Sequence, residues 1–100
     1  MVILMFRIIR EFENQTGHII YAGYDRVCPR GRYILQFIYG KNKLVGKVIH
    51  HIDENKKNDN PENLLICTFK EHKRLHKLLN MERESLYNTY VKQLWEKYMK

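Results

Sequence analysis

Of the five histidines in the chain, four fall within residues 50–76: His50, His51, His72 and His76. An adjacent His-His pair, a long polar stretch and then a His-x-x-x-His pair make a layout with a chemical use. Imidazoles drawn from two segments can hold one divalent metal. An imidazole left outside that set, with an ordinary pKa of about 6.5, can take a proton from water near physiological pH. Metal and free imidazole together suit hydrolysis of a phosphodiester, in which negative charge builds on phosphate oxygens while water loses a proton.

The elements around these residues must place them. Thr68-Phe69-Lys70-Glu71 fits a capping box, which predicts a helix starting at Phe69. On that helix His72 and His76 lie about 40° apart on one face. Phe69, Leu75 and Leu79 share the face, and Lys70, Lys73, Arg74 and Lys77 make a basic ridge on the other side. A lone histidine on such a face is most often a tolerated resident of the core edge. Two at this spacing, with a His-His pair upstream, favour ligation. Leu44–Ile52 reads as a strand leading into His50-His51. Asp53–Glu62 reads as a polar loop carrying Asn55, Asn58, Asn60 and Pro61, and Leu64–Cys67 as a short strand able to pair back. Residues 44–79 therefore predict strand, loop, strand, helix: a ββα unit.

The flanks complete an α+β reading. Val2–Phe12 and His18–Tyr24 predict an amino-terminal hairpin about the turn Glu13–Gly17, followed by a loop over Asp25–Gly31. Arg32–Tyr39 is ambiguous between strand and helix, and Gly40 ends it. Met81–Met99 predicts a second amphipathic helix whose stripe, Tyr87, Tyr90, Val91, Leu94 and Tyr98, reads as core packing. Either Asn80 caps this helix or it continues from the first.

A chain of 100 residues with 44% hydrophobic content predicts one globular domain over residues 1–100. Its net charge of +7 makes nucleic acid the first partner to consider. The basic excess is larger in residues 1–50, so the amino-terminal half is expected to make much of the phosphate contact. Cys28 and Cys67 form no CxxC and are expected to be buried free thiols in a reducing interior. No apolar run approaches the ~20 residues of a membrane span. Met1–Ile9 reads as a buried strand rather than a signal peptide, so a soluble, cytoplasmic protein is expected.

The segment VIHHIDENKKNDNPENLLICTFKEHKRLH resembles the HNH endonucleases, the ββα-metal nucleases that include homing endonucleases, colicin DNases and small phage-encoded enzymes. The resemblance covers roughly residues 32–79, because Arg32–Gln36 and Gly40-Lys41 also look like the upstream part of small phage members. It implies that His50 is a metal ligand, that His51 is the general base activating water, and that Asn63 is the middle Asn that fixes the loop. It also implies that His72 and His76 ligate metal from the helix. The implied reaction is metal-dependent cleavage of DNA, as a nick or a double-strand cut, giving a 5′-phosphate and a 3′-hydroxyl. One divalent ion is implied, among Zn, Ni, Mn and Mg, and imidazole donors favour Zn²⁺ or Ni²⁺. Such an enzyme encoded by a phage would act in the host cytoplasm. The chain departs from the pattern at Glu54, where Gly is usual and a slightly different turn is expected, at Gly31, where a His is frequent, and in lacking a four-cysteine zinc ribbon.

Lys56, Lys57, Lys70, Lys73 and Arg74 are the candidate DNA-phosphate contacts, by charge and by nearness to the histidines. The rival from another class is a non-catalytic, zinc-stabilised nucleic-acid-binding module using all four histidines structurally. Structural zinc sites usually include cysteine, and adjacent histidines are awkward as joint ligands of one ion, which disfavours it. An RNase or cell-killing toxin would share the same site. No recognition domain fits beside the ββα unit, so weak specificity, a homodimer or a partner such as a phage packaging complex remain open.

Overall fold

A computed structural model describes residues 6–100; of the expected strand Val2–Phe12 the first residues lie outside them, and within them the strand begins at Arg10 while Ile8 and Ile9, expected to be buried, are exposed. The chain is α+β. Strands β1 (Arg10–Glu13), β2 (Ile19–Ala22) and β3 (Val27–Pro29) form an antiparallel sheet in that order. Helix α1 (Arg30–Tyr39) and the short α2 (Lys41–Leu44) follow. Next come β4 (Val48–His51), a loop closed by a 3-10 turn at Pro61–Asn63, β5 (Leu64–Cys67), α3 (Phe69–Asn80) and α4 (Glu84–Tyr98).

The ββα unit forms where the sequence places it, with shorter strands. β4 and β5 pair antiparallel, His50 opposite Leu65 and His51 opposite Leu64. β5 is buried along its whole length because other elements cover both of its faces, so it reads as the continuous apolar run Leu-Leu-Ile-Cys rather than an alternation. Leu35, Leu44, Leu75, Tyr87 and Leu94 close around it, so α1, α2, α3 and α4 all contribute to one core.

Helix α3 starts at Phe69, with Thr68 Oγ1 accepting from the Glu71 N–H and Glu71 Oε1 accepting from the Thr68 N–H at 2.8 Å. The same carboxylate accepts from the Tyr98 hydroxyl at 2.8 Å and from Lys97 Nζ at 3.1 Å. Burial works against its charge, yet these bonds outweigh it and hold the Glu71 carboxyl down at about 2. One acid thus ties the start of α3 to the end of α4.

Three expectations change, for Asp25–Gly31, Leu44 and Phe69, and two open alternatives are resolved. Asp25–Gly31 contains β3 and the start of α1, because a three-stranded sheet covers more surface than a lone hairpin. Arg32–Tyr39 resolves as helix, and Leu44 belongs to α2 rather than to the strand before His50. The carboxy-terminal helices are separate: Glu82 takes a φ of 53° between them. Phe69 is 65% exposed although it shares a half of α3 with the histidines, because the core lies toward Leu75, on the far side of the histidines from Phe69. Cys28 and Cys67 are buried free thiols.

Candidate active site and metal centre

Successive side chains on a strand point to opposite faces, so β4 sends His50 one way and His51 the other. His50 is buried, 2% exposed, and turns toward α3. There its ring lies 5.2 Å, centroid to centroid, from both His72 and His76. One nitrogen from each of the three rings can be chosen so that all lie within 4.8 Å of one another. His72 Nε2 and His76 Nε2 are 3.0 Å apart.

The hydrogen bonds assign the His50 tautomer. The Tyr87 hydroxyl donates its only proton to the Ile52 carbonyl at 2.8 Å. His50 Nε2, 2.7 Å from the same oxygen, must then be the donor, which leaves Nδ1 with its lone pair. Burial, followed by the neighbouring His72, His76 and His51, pushes the His50 pKa down to about 3, and burial with His76 lowers that of His72. A neutral imidazole is the ligating form.

This donor set fits a divalent metal. In tetrahedral coordination at 2.0–2.1 Å, ligand nitrogens sit roughly 3.3 Å apart. The α3 pair already approaches that spacing, and His50 needs only a modest closure. Three imidazoles leave a position for substrate or water, as catalytic sites do. Tyr87, read from sequence only as core packing, is the hydrogen-bond partner that orients the His50 ring. The signal was its phenol, which needs a hydrogen-bond partner when buried.

On the other face of β4, His51 Nε2 lies 2.7 Å from Asp59 Oδ1. An ionised carboxylate can only accept, so Nε2 carries the proton and Nδ1 is the basic nitrogen. Asp59 is buried and its other oxygen accepts from Arg30 Nε at 2.9 Å. A Cβ at residue 31 would come within 2.8 Å of Asp59 Oδ1, so glycine is what lets the first turn of α1 approach this carboxylate. Sequence reasoning gave no role to Asp59, Arg30 or Gly31, because each acts through a contact distant in the chain.

The loop between the strands is encoded by short amides and acids that bond their own backbone. Asn63 is buried. Its Oδ1 accepts from the Asp53 N–H at 2.9 Å, while its Nδ2 donates to Asp53 Oδ1 at 2.8 Å and to the Asn58 carbonyl at 2.9 Å. Asp53 is held below the usual carboxylate range by the Asn58 side chain first, then by the Asn55 N–H. Glu54 keeps a left-handed conformation, φ 64°, so the turn that favours glycine is retained rather than altered.

The candidate phosphate contacts divide. Lys70, Lys73 and Arg74 are exposed on α3, the helix that carries His72 and His76, with Arg74 over the Tyr90 ring and Lys73 over the Phe69 ring. Lys56 donates to the Thr16 carbonyl at 2.9 Å and Lys57 pairs with Glu13 at 2.9 Å, so both pin the β1–β2 turn against the loop. In the amino-terminal half Arg30 is taken up by Asp59, and Arg32 by the Leu44 and Lys47 carbonyls. Two of that half's charges are therefore structural. The turn also delivers the fifth histidine, His18, whose ring centroid is 5.8 Å from that of His51. Burial, then His51 and Lys56, lowers its pKa.

Two outcomes follow from the His50 environment. Its folded pKa lies below the unfolded value, so between about 6.5 and 3 the unfolded chain binds the extra proton and stability rises with pH. Urea unfolding of metal-free protein should lose on the order of a few kcal/mol as the pH falls from 7 toward 4, with a shallower slope in His50→Leu. Tyr87→Phe removes the acceptor for His50 Nε2–H and should weaken Zn²⁺ binding roughly 10–100-fold by calorimetry.

Residues 32–74 match the family model described as HNH endonuclease. That span holds His50, His51, Asn63 and His72, and His76 lies just beyond it. No curated protein and no solved structure gave a match. With the histidines gathered as three around one centre and one on the opposite face of the same strand, inside a strand–loop–strand–helix unit, this segment of the chain is similar to the HNH endonucleases.

Proposed function

We propose that the protein is a metal-dependent DNA endonuclease in which His50, His72 and His76 hold one divalent ion and His51 is the general base. The observation that carries this reading is the division made by β4: one histidine of the pair joins the three-imidazole cluster, and the other is bound to Asp59. A closed structural site would have drawn on all four.

The bound ion would supply positive charge for the phosphate oxygens as charge develops on them. This chain's own residues do the rest. Asp59, fixed by Arg30, holds His51 in the tautomer that exposes Nδ1, the same logic by which a buried carboxylate orients a catalytic imidazole elsewhere. Nδ1 takes a proton from water as the water oxygen bonds to phosphorus. The bond from phosphorus to the 3′-oxygen breaks, and that oxygen gains a proton from solvent. The products are a 5′-phosphate and a 3′-hydroxyl. Asn63 holds the loop that carries Asp59, so its role is positional. Lys70, Lys73 and Arg74 meet backbone phosphates, consistent with the net charge of +7.

Plasmid cleavage tests the reading. Wild type should nick or linearise supercoiled DNA with Mg²⁺, Mn²⁺, Ni²⁺ or Zn²⁺ and stop in EDTA. His51→Ala should be slower by about 10²–10⁴-fold, the usual worth of a positioned general base. Absence of cleavage with every metal, with DNA retarded equally by both proteins, would overturn it in favour of a binding module.

A further inference from the structure

Between the β1–β2 turn and the ββα unit lies a cavity of about 160 Å³ that opens beside His51. By the room a water needs, that is space for on the order of ten water molecules. Its apolar wall is Ile19, Pro29, Val48 and Ile49. Part of its polar lining is engaged with the protein. Arg32 donates to the Leu44 and Lys47 carbonyls, Lys56 donates to the Thr16 carbonyl, and Asp59 accepts from Arg30 and His51.

Two imidazole nitrogens of the lining have no partner among the described residues. One is His51 Nδ1. The other is His18 Nε2, by the following chain of bonds. Thr16 Oγ1 donates to Asn14 Oδ1 at 2.9 Å, so it accepts from His18 Nδ1–H at 2.7 Å, and Nε2 faces outward with a lone pair. Arg32 and Lys56 bond only neutral carbonyls and keep their charge, which suits the phosphate that accompanies a base, while the apolar wall and the two ring nitrogens are left for the base itself. A planar heterocycle, apolar on its faces and polar at its edge, matches what is offered.

We propose that this cavity is a nucleobase subsite, taking an unstacked base of the strand being cut next to the scissile phosphate, with His18 Nε2 at its polar edge. The inference rests on the nuclease reading for its substrate, and it makes the amino-terminal hairpin part of the active site. The ββα unit supplies the chemistry, and the hairpin supplies a preference for nucleic acid whose bases leave the stack readily. Single strands and mispaired positions satisfy that at least cost.

Binding and cleavage test it separately. Metal-free protein is titrated with deoxyadenosine monophosphate and, in parallel, with deoxyribose 5-phosphate, and methyl and imidazole resonances are followed by NMR. The nucleotide should shift the signals of Ile19, Val48, Ile49 and His18 well beyond any shift from the abasic compound. Ile19→Trp, which fills the cavity, and His18→Ala, which removes its polar edge, should each abolish the base-dependent shifts with the thermal midpoint retained. A duplex with one mismatch beside the cut should be cleaved on the order of tenfold faster than the matched duplex, and Ile19→Trp should erase that difference. Equal shifts from both compounds, or base-dependent shifts confined to α3, would overturn the subsite. Base-dependent shifts at the cavity without cleavage under any metal would support the subsite and count against the nuclease reading instead.

Discussion

Adjacent residues on a β-strand cannot share a face, and the rest of this structure is arranged around that constraint. His50 and His51 are covalent neighbours, yet the pleat buries one against His72 and His76 and sends the other to a buried carboxylate. A ligand must be neutral and fixed, and a base must keep one nitrogen open. In the proposed reading the strand meets both demands with two consecutive residues, because each face has its own surroundings. On one side α3 brings His72 and His76, and α4 brings Tyr87. On the other side the loop brings Asp59, and α1 brings Arg30.

Each partner is in turn held by something else. Glu71 fixes the start of α3 and reaches Tyr98 and Lys97 at the end of α4, so the helix with two histidines and the helix with Tyr87 are registered together. Asn63 bonds Asp53 and the Asn58 carbonyl, which sets the path of the loop just before Asp59. Gly31 leaves room for the Asp59 carboxylate against α1. The hairpin, pinned by Lys56 and Lys57, covers the base side, where a binding residue can be added without disturbing the metal side.

What was legible in the sequence is what short-range chemistry encodes. The capping box at Thr68 and Glu71 placed the start of α3, and helical spacing put His72 and His76 together. The β4–β5 pairing followed from two apolar runs about a polar loop. The parts that were not legible depend on contacts made far along the chain. Asp59 looked like one more polar loop residue, Tyr87 like a member of an apolar stripe, and His18 like part of a strand. Arg32–Tyr39 carried too short a run to separate helix from strand, and Phe69 sat on the correct side of α3 but beyond the edge of the core.

The central claim is that His50, His72 and His76 bind one metal while His51 stands apart. Co²⁺ titration followed by visible absorption tests it most directly, because ligand-field bands report coordination number and geometry. The account expects one equivalent bound in a four-coordinate site, lost in His50→Ala, His72→Ala and His76→Ala and retained in His51→Ala. A spectrum that changes with His51→Ala as it does with the other three would contradict it.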